Sequence, residues 1–402
     1  MGMKKLTFVL SALSAGLAFA VEGAVRAPVV TNRTETLVRP GFTRVELVCN
    51  DTPCWRAYIL KVDLSTPGLR FAVFYPEATI GRKAALSAMN GQLAALLKGK
   101  GEVVAGINGD YFGAEGFTQR LNVSNGFLVQ TGYNPKCSQW GAGNLRIYET
   151  TDGRFHLGDV EFAGKVRFGE RECKVSIVNT FNMDGIASGI SVFTGGCDIR
   201  LPADGLKAKL AVPLKRGRGA SVKDRAFQIV GRVEKGTRNV CSRDEIVLCG
   251  ISPDDQAYLA SLPAEASGVL DWGFTGVEGE ADVRNLVGAW LAVIRDGVKV
   301  PSTDQNESLK KKPRGYPRTC MGLSAKNNQA VFFVSDGRQE GWSRHMTTDQ
   351  VADVLLAEGC ENAVQFDGGG STEMIVQDKI VNRPSDVIER PLASGMFFCV
   401  TK

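Results

Sequence analysis

Two short apolar runs near the C-terminus, each ending in an aspartate followed by glycine, constrain the fold of this 402-residue chain most strongly. The first extends from Ala330 to Ser335 and is followed by Asp336-Gly337-Arg338. The second extends from Asn362 to Phe366 and is followed by residues 367–371, Asp-Gly-Gly-Gly-Ser. Uninterrupted apolar runs of this length are typical of strands buried on both faces.

The sequence between these two runs predicts a helix from Thr348 to Glu358. Thr347 and Gln350 have the spacing of a capping box, an apolar stripe follows, and Gly359 ends the helix. A helix that connects two strands of one sheet makes those strands parallel. The sequence therefore predicts a parallel strand–helix–strand unit at the C-terminus.

Short strand patterns and turns alternate from about Val45 onward, and residues 120–250 are rich in strands and glycine turns. A further helix is predicted from Ala84 to Leu97, ended by Gly99. We therefore expect an α+β fold: a single large mixed-sheet domain over residues 45–402 that contains the C-terminal unit. Residues 21–44 are expected to be a lead-in segment.

Residues 1–20 have the pattern of a signal peptide. Lys4-Lys5 precedes an apolar stretch from Leu6 to Phe19, and Ala18-Phe19-Ala20 fits the small-x-small cleavage rule. The apolar stretch is short for a transmembrane helix. We expect cleavage near Ala20, a secreted or periplasmic protein, and no stable insertion in the membrane.

Ten cysteines, an even number, fit an oxidising compartment. The chain has two histidines and no C-x-x-C motif, which disfavours a zinc site. Disulfides are therefore expected, and the candidate pairs are Cys49 with Cys54, Cys241 with Cys249, and Cys173 with Cys197. No metal or cofactor is predicted, and oligomeric state has no signal in the sequence.

The formal net charge of +5 is modest for this length, and the basic residues are dispersed. Proteins that bind nucleic acid usually concentrate their positive charge in a patch or stripe. Nucleic acid is therefore not an expected partner.

The two strand ends predict a pocket with two carboxylates. Ligands bind outside the carboxyl ends of parallel strands, and neighbouring strands lie about 4.8 Å apart. If the two strands are adjacent or next-but-one, the carboxylates of Asp336 and Asp367 lie roughly 5 to 10 Å apart, as in glycosidases. Which of them is nucleophile, acid or base stays open.

Gly368, Gly369, Gly370 and Ser371 form the second element of this pocket. Three successive glycines indicate positive φ angles or a ligand against bare backbone, and the N–H groups of such a loop bind anions such as phosphate. The alternative is a plain glycine turn capped by Asp367.

Other candidates lie in separate motifs. Arg318 follows Tyr316-Pro317, and Arg338 lies beside Asp336. Either arginine can hold a phosphate in a bidentate geometry or form a surface ion pair. His345 is a candidate acid/base or an ordinary loop residue. Glu389 is a candidate substrate contact or half of an internal ion pair.

Asn108-Gly109-Asp110-Tyr111-Phe112 follows another buried strand, predicted over Glu102–Ile107. Asn108 and Asp110 are suited to hydrogen-bond sugar hydroxyls, and an aromatic ring can stack on a sugar. The alternative is a turn whose aromatic residues pack internally.

Together these segments resemble the phosphodiester glycosidase family over roughly residues 70–402. The matching segments are Asn108–Phe112, Tyr316–Gly322, Val334–Arg338, Ser343, the helix of residues 347–358, Gln365–Thr372, Asn382, residues 384–386 and Glu389-Arg390-Pro391. Cys320 and His345 depart from the usual pattern of the family, and residues 160–250 diverge from it.

The resemblance implies an α+β domain and a hydrolase that acts on a glycosyl-1-phosphodiester. It implies the following pocket residues: Asn108, Asp110, Arg318, Asp336, Arg338, Asp367 to Ser371 and Glu389. The expected function is cleavage of the C1–O bond of a carbohydrate phosphodiester in cell-envelope or extracellular polysaccharide metabolism. Two alternatives are a phosphodiesterase that cleaves P–O and a glycan-binding protein without catalysis.

Overall fold

The computed structural model describes residues 30–50, 54–132, 145–180, 185–195, 199–200, 204–214, 217, 219–234, 238–239, 242, 244–301, 316–344 and 346–402. Within these residues the strands, numbered along the chain, are β1 (Asn32–Arg39), β2 (Phe42–Cys49), β3 (Trp55–Asp63), β4 (Leu69–Phe74), β5 (Gly101–Asn108), β6 (Asn122–Ser124), β7 (Phe127–Gln130), β8 (Leu145–Thr150), β9 (Phe155–Asp159), β10 (Glu161–Phe168), β11 (Arg171–Val178), β12 (Ile190–Thr194), β13 (Ile199–Arg200), β14 (Leu206–Leu210), β15 (Val222–Arg232), β16 (Arg238–Asn239), β17 (Glu245–Gly250), β18 (Ser267–Thr275), β19 (Val283–Gly288), β20 (Leu291–Arg295), β21 (Val298–Lys299), β22 (Arg318–Ser324), β23 (Gln329–Ser335), β24 (Asn362–Gln365), β25 (Met374–Val376), β26 (Lys379–Ile380) and β27 (Gly395–Thr401). The α-helices of the same residues are α1 (Leu86–Leu97), α2 (Pro253–Ser261) and α3 (Thr348–Ala357).

The largest sheet has eight strands within the described residues, in the order β1-β2-β3-β23-β22-β24-β20-β21. β22 and β23 form an antiparallel hairpin, and β23 pairs antiparallel with β3. β1 pairs with β2 and forms one edge, so residues 32–39 of the expected lead-in segment belong to this sheet.

A second sheet, ordered β26-β25-β5-β27-β4, packs against the first. The rings of Phe332 on β23 and Phe398 on β27 lie 4.8 Å apart between centroids, at the centre of this core. α1 covers the outer face of the second sheet, where Met89 and Leu93 pack with Phe397.

β23 is buried on both faces, as its apolar run predicts. Phe332 faces the core between the sheets, whereas Val331 and Phe333 pack with Val351 and Leu355 of α3 on the other face. The predicted capping box of α3 is confirmed, because the Thr347 hydroxyl accepts the Gln350 N–H at 3.2 Å and the Gln350 side chain accepts the Thr347 N–H at 2.9 Å.

The middle of the chain forms a closed barrel in the order β10-β11-β12-β17-β14-β15-β18. Its apolar core includes Val166, Leu248 and Leu270 and is continuous with residues of the neighbouring five-stranded sheet such as Tyr148 and Leu286. The strands on either side of it in sequence, β9 and β19, belong to a five-stranded sheet ordered β7-β6-β19-β8-β9, and β13 pairs with β16.

The predicted α+β fold class is wrong. Strands dominate the described residues, and the predicted parallel strand–helix–strand unit does not form as a pair of neighbouring strands. β22 lies between β23 and β24 and is antiparallel to both. The physical reason is local: β22 precedes β23 by a short turn, so the hairpin places β22 beside β23 and leaves β23 and β24 next-but-one in the sheet.

The described part of the chain contains no disulfide bond. Cys54 and Cys173 are thiols, and the Cys54 thiol lies 3.7 Å from the Trp342 carbonyl oxygen. The candidate partners Cys197 and Cys241 lie outside the described residues. Within the described residues, no helix has the length and apolar character needed to cross a membrane.

Replacing Phe332 tests the core between the two sheets. Because Phe332 is fully buried and packs against Phe398, we expect Phe332→Ala to lower the free energy of unfolding by about 3–5 kcal/mol. Leu37→Ala, at a position 69% exposed on β1, is the matched control and should change it by less than about 0.5 kcal/mol. Denaturant unfolding measures both, and equal midpoints would contradict this assignment of the core.

Candidate active site

Three strand ends meet at one edge of the eight-stranded sheet. Arg318 begins β22 and lies opposite Ser335 in the antiparallel register, while Cys320 on the same strand lies opposite Gln365 of β24. Asp336 and Asp367 follow the strands on either side of β22. The topology therefore places both aspartates at the edge where Arg318 starts.

Pro317 separates the two Asp-Gly turns. A Cβ atom at Gly337 would lie 2.8 Å from the Pro317 nitrogen, and one at Gly368 would lie 2.7 Å from the Pro317 carbonyl oxygen. The Gly369 N–H donates to that same oxygen at 2.9 Å. Glycine is required at both turns because each packs directly against the backbone of one proline.

The other two glycines lie beneath charged side chains. Gly369 has a φ of 63°, and a Cβ there would lie 3.1 Å from the guanidinium of Arg338. A Cβ at Gly370 would overlap the Asp386 carboxylate and the Arg390 guanidinium. The glycine triplet therefore lets two arginines approach the backbone beside Asp367.

Most N–H groups of this loop are used inside the protein. Gly368 donates to the Asp367 carboxylate, Gly369 to Pro317, Ser371 to Gly368 and Thr372 to Gly369. Anion binding by these four N–H groups would require breaking those bonds. The positive charge available to an anion here comes from the arginines.

Asp367 is buried but keeps 9% exposure. Its Oδ1 accepts the Gly368 N–H at 2.9 Å. Burial raises the pKa of its carboxyl to about 6, while hydrogen bonds from Ser371 and Gly368 and the charge of Arg390 act in the opposite direction. This carboxylate is therefore poised to change protonation close to neutral pH.

Asn108 fixes the backbone of Asp367. Its Nδ2 donates to the Asp367 carbonyl at 2.7 Å, and its Oδ1 accepts from the Thr319 hydroxyl at 2.7 Å and from the Glu373 N–H at 3.2 Å. The side chain is 1% exposed. All of these partners are protein groups, so Asn108 holds the loop after Asp367 in position.

Asp336 is fully buried and fully hydrogen-bonded. Its Oδ2 accepts the Trp342 Nε1–H at 2.8 Å and the Tyr58 hydroxyl at 3.5 Å. Its Oδ1 accepts the Arg383 N–H at 2.9 Å and the Asn382 Nδ2–H at 3.2 Å. Burial raises the pKa of this carboxyl, and these donors partly offset that effect.

Asn382 connects Asp336 to the loop. The same Nδ2 group donates to the Thr372 carbonyl at 3.0 Å, and the Asn382 Oδ1 accepts the Met374 N–H at 2.8 Å. Asp336 is therefore connected to the loop through Asn382. Of the two aspartates, Asp367 is the one that has solvent-exposed surface.

Two arginines at these strand ends lie against the Tyr316 ring. Arg318 is 5% exposed and donates to Gln365 at 3.0 Å. Arg338 is exposed, and its guanidinium lies 4.8 Å from the centre of the Tyr316 ring; the guanidinium of Arg318 lies 5.7 Å from the same ring. Burial lowers the pKa of Arg318, and the charge of Arg338 lowers it further.

Two predicted residues lie in other environments. Asp110 is 2% exposed, accepts the Arg120 N–H and the Asn122 Nδ2–H at 2.9 Å each, and has a pKa that burial raises to about 7. Glu389 accepts the Ser87 N–H at 2.9 Å in the first turn of α1. His345 lies outside the described residues.

The sequence motifs did not identify three residues of this site: Arg390, Asp386 and Glu373. Arg390 Nη1 donates to the Ser371 hydroxyl at 3.3 Å, and its Nε donates to Asp386 at 2.9 Å. Arg390 lies next to Glu389 in the motif that suggested a pocket residue. Arg390 contacts the glycine loop, whereas Glu389 accepts a hydrogen bond from Ser87 of α1.

Glu373 carries no sequence signal, since it follows the motif in a strand-like stretch. It is fully buried, its Oε1 accepts the Arg390 N–H at 3.0 Å, and its Oε2 has no hydrogen-bond partner among the described residues. Burial and the charge of Glu389 raise its pKa to about 8, against the opposing effects of Arg390 and the Leu86 N–H. Glu373 thus attaches the Arg390 segment to the glycine loop as a neutral acid near pH 7.

No group of three or more His, Cys, Asp or Glu side chains in the described ranges has the geometry to hold a metal ion. The described residues of the site include two carboxylates with exposed surface, those of Asp367 and Asp386, beside several guanidinium groups.

Comparison with known proteins identifies the family to which these segments correspond. Residues 227–399 match the phosphodiester glycosidase family. The resemblance inferred from the motifs is confirmed over this range, which contains Arg318, Asp336, Asp367 and Arg390. The segment Asn108–Phe112 precedes the part matched to the phosphodiester glycosidase family.

Similar proteins extend the comparison. YomE, an uncharacterised prophage-derived protein of Bacillus subtilis, is 35% identical over 81 residues, which are 20% of this chain and 12% of YomE. A hypothetical protein from Synechocystis has a similar structure, with a TM-score of 0.65, 13% identity, and coverage of 92% of this chain and 64% of that one. A Burkholderia pseudomallei protein provisionally described as exported has a TM-score of 0.61, 17% identity, and coverage of 86% and 74%. At these identities the two structures show a shared fold.

Stability as a function of pH tests the buried carboxyl of Glu373. Because its pKa is raised to about 8 from 4.5, the unfolded state releases a proton that the folded state retains. The free energy of unfolding should therefore fall between about pH 4.5 and 8. We expect Glu373→Gln to remove the contribution of this group, so that the variant gains about 3 kcal/mol relative to wild type between pH 5 and pH 8.

Denaturant unfolding at several pH values measures this difference. Glu280→Gln, at an exposed position, should follow the wild-type curve. Parallel curves for wild type and Glu373→Gln would show that Glu373 is ionised in the folded protein.

Proposed function

We propose that this protein is an exported hydrolase that cleaves the glycosyl C1–O bond of a sugar-1-phosphodiester, with Asp367 acting at the anomeric carbon. The observation that carries the proposal is the position of the Asp367 carboxyl beside Arg338 and Arg390, which reach the backbone of Gly369 and Gly370. The family match of residues 227–399 supports the same class of reaction.

The chemistry of the substrate fits these parts. A phosphomonoester is a good leaving group, so breaking its bond to C1 needs little proton donation. It needs positive charge at the departing phosphate and a carboxylate near the oxocarbenium-like carbon. In this proposal Arg338 and Arg390 stabilise the phosphate, and ionised Asp367 serves as nucleophile or base.

Arg318 and Asp336 have supporting roles in the proposal. Arg318 adds buried positive charge beneath Tyr316, at the edge where the two aspartates lie. Asp336 has four donors and no exposed surface, which suits a positioning residue that holds Asn382 and the loop after Asp367.

Export is part of the same proposal. Its supports are the signal-like pattern of residues 1–20 and the structural likeness to a Burkholderia protein provisionally described as exported. A substrate in the cell envelope or in extracellular polysaccharide is consistent with that location.

Substitution of Asp367 tests the role of the carboxylate. With an N-acetylglucosamine-1-phosphodiester as donor, we expect Asp367→Asn to lower kcat by about 10³-fold or more, since the amide cannot act as nucleophile or base. Wild-type kcat/KM should fall about tenfold per pH unit below about pH 6, where Asp367 becomes protonated. Asp296→Asn, at an exposed turn, is the matched control, and equal activity of all three proteins would refute the assignment.

Hydrolysis in ¹⁸O-labelled water identifies the bond that breaks. Cleavage of C1–O places the label on the sugar, and this is the expected result. Label in the phosphate product would show P–O cleavage and identify a phosphodiesterase instead.

A further inference from the structure

A short turn at residues 384–388, called here the apolar turn, projects beside the glycine loop. Its flanks are fixed: the Arg383 N–H donates to Asp336 at 2.9 Å, and the Arg390 N–H donates to Glu373 at 3.0 Å. Within it, the Asp386 carboxylate packs on Gly370 together with Arg390. The apolar turn is therefore attached at both ends to the candidate active site.

Between these attachments, two large apolar side chains face solvent. Val387 is 91% exposed and Ile388 is 73% exposed. Val387 has a φ of 71°, a backbone conformation that β-branched residues rarely adopt, and its N–H donates to the Pro384 carbonyl at 3.2 Å. The protein thus holds an exposed apolar pair in a strained turn, which indicates contact with a ligand.

The charges around the apolar turn indicate which ligand. Arg390 lies at one end of the turn and Arg383 at the other, with Arg383 exposed and the Arg390 side chain 39% exposed. Asp386 belongs to the same turn and is ion-paired with Arg390 at 2.5 Å, so an anion bound at Arg390 has the apolar turn as a direct neighbour of its substituents. A substituent that is buried on Val387 and Ile388 must be apolar.

We propose that Val387 and Ile388 bind the leaving-group side of the substrate, and that this substrate is a glycosyl phosphodiester whose second ester is an alkyl or aryl group. This inference rests on the proposed function, because it assigns the phosphate to Arg390 and the sugar to the side of Asp367. It makes the apolar turn a determinant of specificity, with a binding role and no part in bond cleavage.

The test compares methyl and hexyl diesters of N-acetylglucosamine 1-phosphate, by calorimetric binding and by turnover. We expect wild type to prefer the hexyl diester by about tenfold in Kd and in KM. The double variant Val387→Asn, Ile388→Asn should lose most of that preference; asparagine tolerates the positive φ of residue 387 and so retains the turn. Val298→Asn, at a position 67% exposed on β21, is the control and should keep the preference.

The outcomes separate the two proposals. Equal binding of both diesters by wild type, or an unchanged preference in the double variant, would overturn the inference about the apolar turn. Tight, hexyl-selective binding without release of sugar would support the inference and contradict the proposed hydrolysis.

A membrane contact is the competing role of the same turn. Sedimentation with vesicles of phosphatidylglycerol and phosphatidylcholine tests it. Binding of wild type that is lost in the double variant, together with no hexyl preference, would assign the turn to a lipid surface and overturn the inference.

Discussion

The close approach of protein groups to bare backbone at the two Asp-Gly turns is the constraint on which the site depends. Pro317 lies against Gly337 and Gly368, and side chains at these positions would collide with it. Arg338 and the Asp386–Arg390 pair then use the space above Gly369 and Gly370. One proline and four glycines thus fix the distances among the strand ends, the carboxylate and the cations.

Two carboxylates with the same sequence context have different environments. Asp336 accepts from four donors, three of them from distant parts of the chain and one, Trp342, six residues away, whereas Asp367 has local partners and a small exposed surface. Burial raises both pKa values, and donors to the charged form oppose it in each case. The pair therefore divides into an internal anchor and a group that can meet a ligand.

Much of this arrangement was predictable from local sequence. The apolar run of β23 and the capping box of α3 depend on their immediate surroundings, and both predictions agree with the structure. Of the glycine triplet, Gly369 has the expected positive φ, whereas the N–H groups expected to bind an anion are hydrogen-bonded within the protein. β22 was not recognised as a strand, because its sequence Arg-Thr-Cys-Met-Gly-Leu-Ser mixes polar and apolar residues although nearly all of them are buried. The role of Asp336 depends on Tyr58 and Asn382, which lie 278 and 46 residues away, and no local pattern indicates contacts at such separations. Glu373 was not identified from the sequence for the same reason, because its partner Arg390 lies 17 residues further along the chain.

The barrel of β10 to β18 leaves and rejoins the rest of the fold at neighbouring places. β9, which precedes it, pairs with β8, and β8 pairs with β19, which follows it. The barrel is therefore an insertion whose two ends lie two strands apart in the five-stranded sheet. The strands of that sheet keep their pairing partners whatever the insertion contains. This part of the chain can therefore accept changes in sequence and length while the Asp-Gly edge stays intact, and the match to the phosphodiester glycosidase family begins inside it, at residue 227.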